Sequence, residues 1–194
     1  MARRITIIQG HPDPRPDHFG HALADAYVMG AEQAGHACKR IDVAALDFPL
    51  LRRKEDFETG TPPESIRQAQ EAIRWADHLL ILFPLWHGTT PALLKAFFEQ
   101  VFRPGFALAY ESGRMPRKLL TGRTARVVVT MGMPAFIYRW YFGAHGLKSL
   151  TRGMLAFSGI GPIKQNLIGM IEGMDEAKRE GWLEKMRRLG SEGK

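Results

Sequence analysis

Three stretches gather residue types that can bind or donate. They are HPDPRPDHFG at 11–20, FPLWHGTT at 83–90 and TMGMPAFIYRWYFGAHG at 130–146. The first holds His11, Arg15 and His18 just before an amphipathic run. Unpaired amides of His18, Phe19 and Gly20 at a helix start would attract a phosphate, and the imidazoles would add donors. Asp17 competes for the same amides as an N-cap, so both readings stand. Neither G-x-G-x-x-G nor a Walker A sequence is present, so an ordinary nucleotide fingerprint is missing.

In the second stretch, Pro84, Leu85, Trp86 and His87 offer apolar atoms, a π face and backbone amides. A flat aromatic ligand could stack there, or Trp86 could serve packing alone. In the third, Thr130, Gly132 and Gly143 permit close backbone approach, and Tyr138 and His145 are the candidate donors. Tyr138, Trp140, Tyr141 and Phe142 could equally be core aromatics, and His145 a histidine at a helix start. Three such loops together are harder to explain by packing than any one of them.

What must position these loops is an alternation of strands and helices. RITIIQG is a short β-branched run ending at Gly10. Phe19, Leu23, Tyr27, Ala31 and Ala34 recur at helical spacing, predicting a helix from near 18 to near Gly35. ACKRIDVA predicts a second strand, and residues 45–63 read as irregular. Ile66, Ala69, Ile73 and Ala76 mark a second helix. HLLILFPL is too continuously apolar for a half-exposed strand and suits a central parallel one. The stripe Leu93, Leu94, Phe97, Phe98, Val101 and Phe102 predicts the next helix. Residues 103–122 read as a long basic loop, with a hairpin possible within it. ARVVVTMG predicts the fourth strand, Leu147, Leu150, Met154 and Phe157 a helix over 145–157, PIKQNLIGM the last strand, and 175–189 a closing helix.

Alternating β and α elements imply a parallel sheet with right-handed crossovers. Five strands at this length fit an α/β three-layer sandwich of flavodoxin-like order 2-1-3-4-5. Its ligand crevice lies at the carboxyl ends of the first and third strands, where two of the three loops fall. A single domain is expected over 1–194, with no internal repeat.

The composition is globular, 45% hydrophobic and 24% charged, and one cysteine, Cys38, excludes an internal disulfide framework. The amino-terminal apolar run is too short for a secretory signal or a span, so a cytoplasmic protein without stable membrane insertion is expected. No zinc-ligand spacing occurs, and no metal is expected. The net charge of +7 concentrates at Arg114, Arg117, Lys118, Arg123 and Arg126. That run is either a solvated surface or a site for an anionic cofactor. Nucleic acid is not expected, because no helix carries a continuous basic face.

The segments GHPDP…FGHALADAY, FPLWHGTTPALLKAFFEQVFRPGFAL and TMGMPAFIYRWYFGAHG resemble the flavodoxin-like NAD(P)H:quinone oxidoreductases. That family includes the DT-diaphorases, bacterial quinone reductases and potassium-efflux ancillary reductases. The resemblance covers about residues 5 to 172 and is strongest in the second segment. It implies FMN, with FAD the alternative, reduced by NADH or NADPH and reoxidised by a quinone-like acceptor in two-electron hydride steps. The short chain lacks an obvious extra segment for adenine, which favours FMN. By matching positions, His11, His18, Phe19 and Gly20 would line the phosphate end, and Pro84, Leu85, Trp86 and His87 the ring edge. Thr130, Met131 and Gly132 would offer amides to the pyrimidine side. Tyr138 and His145 would assist hydride transfer. A homodimer is implied, with helix 91–102 and segment 136–142 as candidate interface surfaces. The chain departs from many relatives at Asp17 and Gly20, where they carry Ser and Asn, and at His87, where they carry another aromatic.

The same residues bear on three other functions. A flavin-bound regulatory subunit of a transporter or channel with weak turnover is the alternative, separable by steady-state quinone reduction. A receiver domain needs carboxylates where this chain has IIQGH and LFPLW. A one-electron flavodoxin carrier would not need the long 103–122 loop or the Tyr138/His145 pair.

Overall fold

The strand β1 (Arg4–Gln9) buries every residue after Arg4. Its neighbour β3 (His78–Pro84) is buried along its whole length. Runs like these can only sit between two covering layers. In the computed structural model, which describes residues 1–110 and 113–194, that is where they lie. With β2 (Ala37–Asp42), β6 (Thr124–Thr130) and β7 (Ile163–Ile168) they form one parallel sheet, ordered β2-β1-β3-β6-β7. Counting that sheet's strands alone, this is the expected 2-1-3-4-5 order.

Successive residues point to opposite faces. Ile8, Leu79, Ile81, Phe83, Val127 and Val129 pack beneath α3 (Glu64–Trp75) and α4 (Ala92–Val101). Ile5, Ile7, Leu80, Leu82 and Val128 pack under α1 (Phe19–Gln33) and α6 (Glu176–Ser191). α1 and α6 touch backbone to backbone. A Cβ built on Gly30 would lie 1.9 Å from the Arg187 carbonyl, and one on Gly190 2.0 Å from that of Tyr27. Glycine is therefore required at both positions.

The predicted helices and strands fall close to their expected places, with two differences. Within 45–63, read as irregular, Lys54–Glu58 forms a short helix, α2. Buried Arg103 holds it, donating to the carbonyls of Asp56 (2.6 Å) and Gly60 (2.9 Å). An arginine reaching back over forty residues leaves no local periodicity to read. Second, the helix expected over 145–157 is α-helical only at α5 (His145–Lys148) and continues as a π-helix over Ser149–Ala156. A further π-helical turn spans Ile137–Tyr141. As the sequence allowed, the loop at 103–122 contains a small antiparallel pair, β4 (Leu108–Ala109) and β5 (Arg117–Lys118).

The basic run does not converge on one site. Arg123 donates to the carbonyls of Ile73 (3.1 Å) and Arg74 (2.6 Å), and Arg126 to Lys194 O (2.9 Å) and Asn166 Oδ1 (2.6 Å). Arg123 immediately precedes β6 and Arg126 lies in its amino-terminal half, away from the crevice, while Arg117 and Lys118 lie exposed on the hairpin. The reading of 114–126 as an anionic-cofactor site is thus not supported. Among the described residues, no helix is long and apolar enough to cross a membrane.

Candidate functional site

The loops after β1, β3 and β6 leave adjacent strands at their carboxyl ends, at the point where the strand order reverses. The first loop is organised by Gln9, which the sequence reading missed. Buried at the end of β1, it donates through Nε2 to Gly20 O (3.0 Å) and accepts the His11 amide on Oε1 (3.2 Å). One side chain thereby fixes His11 and the first turn of α1 relative to the sheet.

Asp17 is not the cap of α1. The N-cap is His18, with no side-chain cap and no acid in the first turn. The amides expected of Phe19 and Gly20 are therefore left open to a ligand. Asp17 is exposed, its carboxylate 3.9 Å from His18 Nε2. The nearer acid is Asp13, held well below the usual carboxylate range, chiefly by hydrogen bonds from Arg15. His18 Nε2 is 2.9 Å from Asp13 Oδ2 yet is also a buried nitrogen without a hydrogen bond. The distance suits an ion pair, but the ring N–H is not aimed along it, so that donor direction stays open.

Three imidazoles meet here. The rings of His11 and His18 stack at 4.0 Å, and His21 lies 5.5 Å from the first and 6.1 Å from the second. Burial, reinforced by the neighbouring His18 and His21, pushes the His11 pKa down. His21, also missed, donates from Nε2 to Asp13 O (3.1 Å) if Nδ1 accepts from Arg40 (3.3 Å). A cavity of about 310 Å³ opens beside them, lined by Gln9, His11, His21 and Arg40.

In the second loop, Trp86 and Thr89 bridge each other across a two-residue turn. Both central residues, His87 (φ 47°) and Gly88 (φ 78°), are left-handed. For histidine that conformation is uncommon, and it turns His87 out of the sheet direction. Pro84 is buried, Leu85 half-buried and His87 exposed, and Trp86 presents half its surface (50%) to solvent. Trp86 is thus not a core aromatic, and its open face answers why it stands there.

The third loop divides. Thr130 and Met131 are buried, and the Met131 amide is already given to Ile168 O (2.9 Å). Gly132 is exposed, and its amide has no backbone partner among the described residues. Tyr138 is 1% exposed, donates to Gly88 O (3.1 Å) and accepts the Leu147 amide (3.2 Å). Burial raises its pKa. It braces the second loop against the third rather than facing open solvent. His145, at the start of α5, is exposed. A Cβ at Gly146 would lie 2.3 Å from Gly88 O, so this crossing closes only with glycine. Helix α4 buries Leu94, Phe97, Phe98 and Val101 within its own core, so its apolar stripe is not free for an interface. Segment 136–142 exposes Phe136, Trp140 (80%), Tyr141 (83%) and Phe142. Among the described residues, no group of His, Cys, Asp or Glu is arranged to hold a metal ion.

An open phosphate-type cradle at one strand end, beside an exposed aromatic wall at the next, defines a flavodoxin-like protein. The chain belongs to that family, whose model, described as flavodoxin-like fold, matches residues 3–189. It is 28% identical over 182 residues to an uncharacterized NAD(P)H oxidoreductase of Haemophilus influenzae, covering 92% of this chain and 89% of that one. An FMN-dependent NADH:quinone oxidoreductase of Ruegeria pomeroyi is 28% identical over 163 residues, covering 70% and 80%. The NAD(P)H:quinone oxidoreductase of Methanothermobacter marburgensis superposes with a TM-score of 0.81 at 25% identity, covering 100% of both chains.

Proposed function

We propose that the protein is a flavin-dependent NAD(P)H oxidoreductase that reduces quinones or similar acceptors, acting as one unit over residues 1–194. The observation that carries this is the uncapped first turn of α1, faced by His11 and His18 and set one strand from the exposed Trp86. The relatives named above are oxidoreductases, and none carries a transporter-subunit name.

The residues present fit FMN. The open amides of Phe19 and Gly20, with His11 and His18, suit a phosphate, and the neighbouring Asp13 is neutralised by Arg15. When bound, FMN supplies two-electron hydride chemistry between NADH or NADPH and the acceptor. The chain's part is to hold and to polarise. Pro84, Leu85, Trp86 and His87 wall the ring edge. The Gly132 amide, beside Thr130 and Met131, offsets negative charge on the pyrimidine side as an oxyanion hole would. His145, exposed at the loop end, gives or takes a proton at the reacting face. Tyr138 positions both loops from beneath.

A second copy of the chain is the proposed partner, seated on the exposed Phe136, Tyr141 and Phe142; light scattering of Phe136→Ser/Tyr141→Ser against the parent checks this by loss of the dimer mass. The activity is tested by releasing any bound chromophore from purified protein, identifying it by mass, and measuring quinone reduction with saturating NADH or NADPH. Bound FMN with sustained turnover is expected. Bound flavin with negligible turnover favours the regulatory-subunit alternative, and a protein that never takes up flavin overturns both.

A further inference from the structure

A second concavity, of about 460 Å³, opens between the two π-helical segments and the edge strand β7. Arg139 comes from the first segment, Arg152 from the second and Lys148 from α5 between them. Among the described residues, no carboxylate lines it. The side chains of these three cations have no hydrogen-bond or ion-pair partner among the described residues. All three are exposed, whereas Arg4 and Arg40 hold carboxylates, and Arg103 and Arg126 hold carbonyls. Three cations on the wall of one hollow, without an acid among its described lining, favour an anion there.

The backbone here is also costly. π-helical turns are rare and concentrate at functional sites. Ala144, which lines the hollow, is left-handed at φ 48°. Such a conformation persists only where the surroundings impose it. Leu147 and Leu167 form an apolar floor, and Trp140 stands at the rim with 80% of its surface exposed. The volume lies within the range of small-molecule pockets, about 300–1,000 Å³.

We propose that this concavity binds a phosphorylated nucleoside, its phosphate among Arg139, Lys148 and Arg152 and its base against Trp140. Guanidinium groups match phosphate oxygens, and an exposed indole offers a base a stacking face. The same chemistry has two sources: the ribose phosphate of NADPH, or a free nucleotide. The first source rests on the oxidoreductase reading, and the second does not.

The experiment is calorimetric titration of the protein, with excess FMN present, using 2′-AMP and adenosine at constant ionic strength. Saturable binding of 2′-AMP at least tenfold tighter than adenosine is expected. The double variant Arg139→Gln/Arg152→Gln is expected to lose at least tenfold in that affinity with its Tm unchanged. If 2′-AMP binds no better than adenosine, or the double variant binds it as the parent does, the proposal is overturned. Where the titration succeeds, kinetics separate the sources. A KM raised for NADPH and not NADH assigns the site to the dinucleotide, and unchanged KM values assign it to a free nucleotide. A parent without NAD(P)H turnover would sink the oxidoreductase reading while leaving the titration intact.

Discussion

The two ends of one sheet are built on opposite principles. At the amino-terminal end, most polar groups are tied down. Asp77 accepts from Arg4 three times, Arg123 spans two carbonyls at the end of α3, and Arg126 is buried between Asn166 and Lys194 O. At the carboxyl end, donors are left open: among the described residues the first turn of α1 has no side-chain cap and the Gly132 amide no backbone partner, and His87 stands in a left-handed turn. Since buried polar groups cost stability unless paired, the closed end sustains the fold. The open end is where a ligand can complete the pairing. Variants should therefore divide by end, those at the first changing stability and those at the second changing binding and turnover.

The largest effect belongs to the closed end. His78, at the start of β3, is buried, with Nδ1 2.6 Å from Thr124 Oγ1 and Nε2 without a partner. Burial, aided by Arg126 and Arg3, lowers its pKa to about 4 from the ordinary 6.5. The unfolded chain takes a proton below pH 6.5 and the folded chain not until about pH 4, so stability falls as pH drops through that window. The full loss is about 3 kcal/mol. Urea unfolding at pH 7 and pH 4.5 should show much of it, and His78→Asn should flatten the profile. An equally steep profile in the variant would place the acid sensitivity elsewhere and weaken the contrast.

At the open end, His145→Gln should lower kcat about 10²-fold, or about 2.7 kcal/mol, leaving FMN bound and Tm unchanged. Full turnover in that variant would remove His145 from the reacting face. Tyr138 sharpens the comparison because it lies at the open end but is built like the closed one. Tyr138→Phe leaves Gly88 O and the Leu147 amide unpaired, so a loss of about 1–3 kcal/mol in stability is expected, with a smaller loss in turnover than His145→Gln causes. Stability unchanged with turnover lost would instead put the phenol in the chemistry.

The division between the ends also explains what could be read from sequence. Strand runs such as HLLILFPL and the helical stripe of α4 declare themselves, because burial on two faces or one is written in local periodicity. So are Trp86 and Gly132, which stand at strand ends where the topology must open. Gln9 and His21 were not legible: each reaches a residue eight or more positions away, Gln9 to Gly20 and His21 to Asp13 and Arg40, and neither breaks a pattern. Asp17 misled because an acid just before a helix is the commonest cap, yet the chain enters α1 through His18. The 114–126 cluster, read as a solvated surface or an anion site, was only half legible for a related reason. Charge is visible in sequence, but the carbonyls of Ile73 and Arg74 that engage Arg123 come from a distant helix end.

The smallest effect tests whether tying down a group at the surface matters at all. The Arg4–Asp77 pair meets at 2.7 Å, but its side chains are 52% and 43% exposed. The Arg4 hydrogen bonds hold the Asp77 carboxyl below its usual range. Its stabilisation is therefore present above the ordinary carboxylate pKa and is lost as pH falls through the depressed one. Water and salt screen such a pair, so Asp77→Asn should cost less than about 1 kcal/mol at neutral pH. The cost should shrink further in high salt and vanish in acid, where the parent is itself protonated. A loss as large as that from Tyr138→Phe, insensitive to salt, would mean that the Arg4 amide bond to Asp77, rather than the charge, registers β1 against β3. The closed end would then owe its stability to backbone pairing, and the surface ion pair would be incidental to it.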